Sequence, residues 1–331
     1  MQIAKFTVGE AGEREVLRRV LAQLSPAEAS LVGPGDDCAV IAADGDLVVT
    51  TDSMIEGPDF LLRWHSGFEL GWKLAAVNLS DVGAMGATPT GLTVALACPK
   101  DTEVSLLEQI ALGLNAACRE LAPGCGVVGG DLSTAPVLTA TVTAFGSMRG
   151  RAPVLRSGAT PDDIVAYAGD LGLAGIGLSR LYAEDHALDE LKARFPAALE
   201  AQLAPRPPVA LGVAAAEAGA SAMMDVSDGL SLDAARLASA SGVTLDFSSE
   251  LLQAAFGDQR GQSVTVYEML TGGEDHGLLA TFPADARLPA GFVVIGAVRD
   301  PRADEPVHLD GAPFEPRGWD PFVSAPGAPT R

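Results

Sequence analysis

The sequence predicts a two-domain α/β (α+β) protein, and three observations carry that prediction. A chain of 331 residues, 48% of them hydrophobic, is long enough for two cores of ordinary size. Strand-like and helix-like stretches are interleaved in both halves. Between the halves lies RGRAPVLRSGATPDD (149–163), rich in Arg, Gly and Pro, the composition of a boundary. The domains are expected at 1–150 and 151–331.

In the first half, Val16, Leu17, Val20, Leu21 and Leu24 share one helical face, which predicts an amphipathic helix over 13–24. VVTT (48–51) reads as a strand ending at Asp52. GLTVALACP (91–99) and PVLTATVTAFGSM (136–148) have the β-branched richness of further strands. Helical spacing marks 69–87 and 104–121. The second half continues with strand 164–169, a glycine-spaced turn and a helix, then helix 209–219, strand 221–226, helix 228–241, and strands VTLDF, HGLLATF and GFVVIGAV. The tail after Pro301 reads as loop, with WDPF (319–322) as its one apolar patch.

Charge excludes some partners. Lys and Arg number 22 against 43 Asp and Glu, a formal net charge of −21, so neither nucleic acid nor an anionic membrane is expected to bind. The first residues lack an apolar signal core, and the cytoplasm is the expected compartment. Cys38, Cys98, Cys118 and Cys125 have no CxxC spacing, which predicts reduced thiols and no zinc. There is no GKS or GKT loop, HExxH or GxSxG, and the glycines of 169–178 match a dinucleotide fingerprint only loosely.

What stands out is a recurrence of acids where apolar segments meet small residues. Asp36 and Asp37 lie in GDDCAVI, Asp52 in VVTTDS, Asp81 in AAVNLSDVGAMG and Asp131 in VVGGDLS; Asp225 and Asp228 lie in MMDVSDGL, Glu274 and Asp275 in TGGEDHGLL. Each alone has an ordinary reading: Ser227 as an N-cap, Asp228 as a first-turn acid, Asp52 as a turn former. Asp81 is harder to explain so, because it sits in an apolar helical stretch with Lys73 the only basic residue within two turns. A hard divalent cation that bridges carboxylates to phosphates answers that need. The acids are therefore expected to gather around a polyanionic ligand through several Mg²⁺ ions, and Gly129-Gly130 and Gly272-Gly273 to let backbone approach it.

GDDCAVI, TTDSMIEG, AAVNLSDVGAMGATP, GGDLS, RSGATPDD, DVSDGL and GGED, in this order, resemble the thiamine-monophosphate kinases, relatives of aminoimidazole ribonucleotide synthetase and selenophosphate synthetase. The resemblance spans roughly 30–322. It implies an aminoimidazole ribonucleotide synthetase-like fold, with N-terminal sheets paired across a homodimer and a C-terminal α/β sandwich. The implied reaction uses ATP to phosphorylate thiamine phosphate by direct in-line transfer. By position, Asp37, Thr50, Thr51, Asp52, Asp81, Asp131, Asp225 and Asp228 match metal ligands; Gly130, Asp131, Arg156 and Ser227 match nucleotide contacts; Asp59, Glu274 and Trp319 match the thiamine end. Asp131, Arg156 and Asp225 are the expected catalytic residues.

Two departures lie near the substrate side. Asp59 replaces the family's usual histidine, and His276-Gly277 replaces its usual Tyr-Glu. The alternatives are another ATP-dependent enzyme of the superfamily or a catalytically silent nucleotide-binding homologue. Selenophosphate synthesis is disfavoured because no cysteine precedes Gly33.

Overall fold

A computed structural model describes residues 6–34, 38–183, 187–302 and 306–319. The chain divides into two compact units, one of residues 1–82 and 88–150, the other of residues 83–87 and 151–331.

The first unit opens with α1 (Val8–Ala11), started by a capping box between Thr7 and Glu10. Helix α2 follows (Glu13–Leu21), with Glu13 and Glu15 in its first turn and Arg18 and Arg19 in its last, as the helix dipole favours. The helix expected over 13–24 is present but stops at Leu21, and the separate short helix α1 precedes it across Gly12 at φ 74°. A two-stranded antiparallel ribbon comes next, β1 (Ser30–Val32) with β2 (Val40–Ile41).

The unit's sheet is built from β3 (Leu47–Ile55), β4 (Thr88–Cys98), β5 (Val127–Thr134) and β6 (Thr139–Ser147), in the order β3-β6-β4-β5. Helix α3 (Gly67–Ala84) precedes β4, and α4 (Val104–Leu121) joins β4 to the parallel β5. Strand β3 does not stop at Asp52: it pairs with β6 through Ile55, which places Asp52 inside the strand. Likewise Gly129-Gly130-Asp131 is no turn; it lies within β5, level with Thr93, Val94 and Ala95.

Glycines set the crossing of α3 and α4. A Cβ on Gly71 would fall on the Ile110 carbonyl, and one on Gly113 on the Phe68 carbonyl, so the two backbones touch where no side chain fits. Gly71→Ala is expected to destabilise the protein by about 1–3 kcal/mol, because the added methyl must force the helices apart. Denaturant unfolding of the variant measures it.

The second unit contains β7 (Ile164–Ala168), α5 (Leu173–Ala183), α6 (Leu188–Arg194), α7 (Pro196–Leu203), α8 (Val209–Glu217), β8 (Ala222–Val226) and α9 (Leu230–Ser241). It continues with β9 (Thr244–Phe247), α10 (Ser249–Phe256), the hairpin β10 (Asp258–Gln259) and β11 (Gln262–Ser263), and α11 (Val266–Thr271). Last come β12 (Gly277–Phe282), β13 (Val293–Arg299), β14 (Val307–Leu309) and β15 (Ala312–Pro313). Seven strands form one sheet in the order β15-β14-β9-β13-β7-β12-β8.

Both faces of that sheet are covered. Val165 and Tyr167 of β7 join a core with Leu173, Leu230, Phe247 and Met269, while Ala166 and Ala168 join a second core with Met223, Phe282 and Phe292. Alternate residues of one strand feeding two cores is the signature of a sandwich, and it explains why AMMDV and GLLATF are apolar without alternation. The tail after Pro301 departs from the loop expected of it. Strand β14 pairs in parallel with β9, burying Val307 and His308, and β15 pairs with β14.

Candidate functional site

Strand β12 runs antiparallel to both β7 and β8, so its start lies beside their ends. Three loops therefore meet at one end of the sheet: 169–172 after β7, 227–229 after β8 and 272–276 before β12. They are stitched by backbone hydrogen bonds. The Glu274 N–H donates to the Ser227 carbonyl at 2.7 Å, and the His276 N–H to the Val226 carbonyl at 2.9 Å. The tail joins them, since the Trp319 N–H donates to the Asp228 carbonyl at 2.9 Å. Asp225, Ser227, Asp228, Glu274 and Trp319, nearly 100 positions apart at the extremes of this set, thus converge in one unit.

Helix α9 explains the 227–229 loop. Its N-cap is Gly229, with no side-chain cap, so neither the N-cap reading of Ser227 nor the first-turn reading of Asp228 holds. Asp233, fully buried, organises the loop instead. Its Oδ2 accepts the N–H groups of Ser227 (3.0 Å) and Asp228 (2.9 Å), and its Oδ1 accepts from Arg236 Nη1 at 2.6 Å. The same Nη1 donates to Asp228 Oδ2 at 2.6 Å. Burial pushes the Asp233 carboxyl up to about 6, with the Asp228 and Asp225 charges adding to the rise and the N–H bonds and Arg236 opposing it. Asp225 is itself buried, with His276 Nδ1 at 3.6 Å from its Oδ2.

The 272–276 loop is held by unusual backbone and by its own acids. Glu274 (φ 68°) and His276 (φ 54°) both adopt left-handed conformations that non-glycine residues rarely take. Asp275 anchors the segment: its carboxylate accepts the N–H groups of Gly172 (2.5 Å) and Ala174 (2.9 Å) at the start of α5. Burial raises the Asp275 carboxyl to about 8 against these two N–H bonds. Glu274 Oε2 accepts from Gln202 Nε2 at 2.5 Å. Beside them, Gly277 leaves the space that the Tyr167 hydroxyl fills, which accounts for the small residue there.

Arg156 stands elsewhere. Its carbonyl accepts from Ser241 Oγ at 2.7 Å, and Ser241 ends α9, whose start follows Ser227. Twelve helical residues separate the two, about 18 Å of helix, so within one chain Arg156 and Ser227 are not neighbours. The Arg156 side chain is exposed.

In the first unit, Thr50 Oγ1 donates to Asp81 Oδ2 at 2.9 Å, which sets α3 on the face of β3 that carries Thr50 and Asp52. Asp81 is only half-buried, more open than its apolar neighbours suggest, while Lys73 is 1% exposed. Thr51 points the other way: its hydroxyl lies 3.0 Å from the Val142 carbonyl and 3.1 Å from Thr143 Oγ1. Asp131 shares a row with Ala95, Thr141 and Ser53, on that same opposite face. Strands β6 and β4 stand between Asp52 and Asp131, about 14 Å at ordinary strand spacing. The unit therefore presents Thr50, Asp52 and Asp81 as one group and Asp131 as another. Gly130 is mid-strand, where a Cβ would fall on the Val94 carbonyl.

Asp59 closes the turn after β3, its Oδ2 accepting the Ile55 N–H at 2.8 Å. Asp37 lies outside the described residues, as do 320–322 of WDPF. Among the described residues no three His, Cys, Asp or Glu side chains form a group able to hold an ion by themselves, and no helix is long and apolar enough to cross a membrane. Asp233, Gln202 and Arg236 were not singled out by sequence reasoning. Only Asp233 had a signal, as an acid in the first turn of the helix after DVSDG.

Both halves match family models, the AIR synthase related protein N-terminal domain over 35–148 and the C-terminal domain over 160–291. Fold and site thus define a two-domain protein of the AIR synthase related class. A thiamine-monophosphate kinase of Mycobacterium tuberculosis is 38% identical over 326 residues, 96% of this chain and 93% of the relative. One from Aquifex aeolicus is 33% identical over 322 residues, 95% of this chain and 98% of that protein. A solved structure, AaThiL complexed with AMPPCP and TMP, superposes with a TM-score of 0.71 at 30% identity, covering 96% of this chain and 99% of that one. The chain belongs to the thiamine-monophosphate kinase family.

Proposed function

We propose that this protein transfers the γ-phosphoryl group of ATP to the phosphate of thiamine phosphate, giving ADP and thiamine diphosphate. The observation that carries the reading is the convergence of the 225–229 and 272–276 segments, which carry the DVSDGL and GGED motifs, with the 317–319 segment around Asp225, Asp228 and Glu274.

The attacking group is a phosphate oxygen, anionic at neutral pH, so the site needs no general base; positioning and charge neutralisation suffice for in-line transfer. The donors suit Mg²⁺. All are oxygens, the ligand type a hard cation takes, and Mg²⁺ keeps its waters and adds one or two carboxylates and substrate phosphates. Bound Mg²⁺ supplies neutralisation of the phosphate charges. Within the second unit Asp225 and Asp228 would hold an ion; within the first, Thr50, Asp52 and Asp81 would hold one, with Asp37 and Thr51 as further donors. In the second unit, Ser227 of the 227–229 loop contacts the nucleotide. Glu274 complements the cationic thiazolium, Trp319 stacks on an aromatic ring, and Asp59 lines the thiamine end with its carboxylate turned into its own backbone.

The active form is a homodimer. Strands β3 and β5 are open edges, and β3 exposes Leu47, Val49 and Ile55 on one face. A second copy pairing along one of these edges extends the sheet across the dimer. This protein is expected to act in the cytoplasm.

Incubation with ATP, Mg²⁺ and thiamine phosphate is expected to yield ADP and thiamine diphosphate in equal amounts. Retained ATP without either product identifies a silent nucleotide-binding protein instead.

A further inference from the structure

Glu274 is half-buried on a left-handed loop, and its carboxylate is gripped from a helix that the family motifs do not include. Gln202, 2% exposed, lies at the end of α7 and donates through Nε2 to Glu274 Oε2 at 2.5 Å. It is held in place itself. Helix α7 packs against α5 at Gly177, where a Cβ would fall on the Ala198 carbonyl and crowd the Gln202 Cβ. The loop is equally fixed, by the Glu274 N–H on the Ser227 carbonyl at 2.7 Å and by the Asp275 carboxylate on the N–H groups of Gly172 and Ala174. A carboxylate fixed at both backbone and side chain is pre-organised, so little order is lost when a cation arrives.

We infer that Gln202 is a positioning residue that aims the Glu274 carboxylate at a permanently cationic ring, so that the Gln202–Glu274 pair selects phosphate esters bearing such a ring over neutral ones. The inference rests on the phosphotransfer reading above and deepens it. The amide donates to the carboxylate without neutralising it, which leaves the full negative charge for the substrate. A lysine or arginine in the place of Gln202 would pair with Glu274 and compete with the ring. A residue that merely filled the α5–α7 crossing would have no reason to affect one substrate more than the other.

The test is steady-state kinetics of Gln202→Met, which keeps the side-chain length and removes the donor. The KM for thiamine phosphate is expected to rise about tenfold, with the KM for ATP and kcat changed by no more than about twofold. Inhibition by free thiamine, cationic but unphosphorylated, should weaken by a similar factor. Binding of the neutral thiazole phosphate, which lacks the cation, should stay as it was. Gln202→His, which retains an N–H donor, is expected to keep the wild-type KM within about threefold, and it serves if the methionine variant fails to fold. Equal rises in both KM values, no change in either, or equal weakening for the neutral phosphate overturns the inference. The wild-type control separates this from the larger reading: if wild type does not phosphorylate thiamine phosphate, that reading fails and the inference falls with it.

Discussion

Asp131→Asn is expected to abolish phosphoryl transfer while the thermal unfolding midpoint stays within a few degrees of wild type. The side chain is exposed on β5 and has no apolar packing to lose, so the folded state gives up little; surface changes of this kind usually cost within about 0.5 kcal/mol. The reaction loses a carboxylate expected to hold Mg²⁺ against the phosphate charges, and electrostatic groups of this kind are worth factors of about 10² or more in rate.

Asp275→Ala lowers stability by about 2–4 kcal/mol at acidic pH, because the N–H groups of Gly172 and Ala174 lose their acceptor at the start of α5, and each buried donor left unpaired costs about 1–3 kcal/mol. Asp275 also sets the sign of a pH dependence. Its carboxyl is raised to about 8 in the folded chain against 3.8 for the ordinary group, chiefly by burial. Between these values the folded protein holds a proton that the unfolded chain releases. The free energy of unfolding is therefore greatest below pH 4, falls as pH rises toward 8, and levels beyond. Asp233, raised to about 6, acts in the same direction between about pH 4 and 6. Denaturant unfolding of wild type and Asp275→Asn across pH 4–9 checks this, and the variant should lose the slope between pH 6 and 8. An identical slope in both proteins removes Asp275 as its source.

The two acids also show what pattern reading does and does not reach. DVSDGL and GGED are legible as motifs because their glycines and acids are local features of composition. Asp233 and Asp275 act through bonds to backbone N–H groups, and a bond of that kind leaves no mark on the donor's identity: Ser227, Asp228, Gly172 and Ala174 donate whatever their side chains. Gln202 was illegible for another reason. Its partner lies 72 positions away and is reached only because α7 crosses α5 at Gly177.

Boundaries failed where pairing across strands overrode local signals. Asp52 reads as the end of a strand because Asp is a turn former, yet β6 supplies partners through Ile55 and the strand continues. The tail after Pro301 reads as loop from its Pro and Gly, yet β9 offers an open edge that Val307–Leu309 completes.

What the sequence by itself determined is the class of chemistry: acids spaced among small residues in a recurring order, an excess of negative charge, and alternating helices and strands in two halves. These are properties of composition and local period, and they survive without coordinates. Only the tertiary structure decided which acids are neighbours. Thr50 meets Asp81 because a strand face meets a helix, Asp52 and Asp131 part because two strands intervene, and Glu274 meets Ser227 because β12 runs antiparallel to β8. Adjacency in space is fixed by sheet order and register, which depend on the packing of the whole chain and are written in no single segment of it.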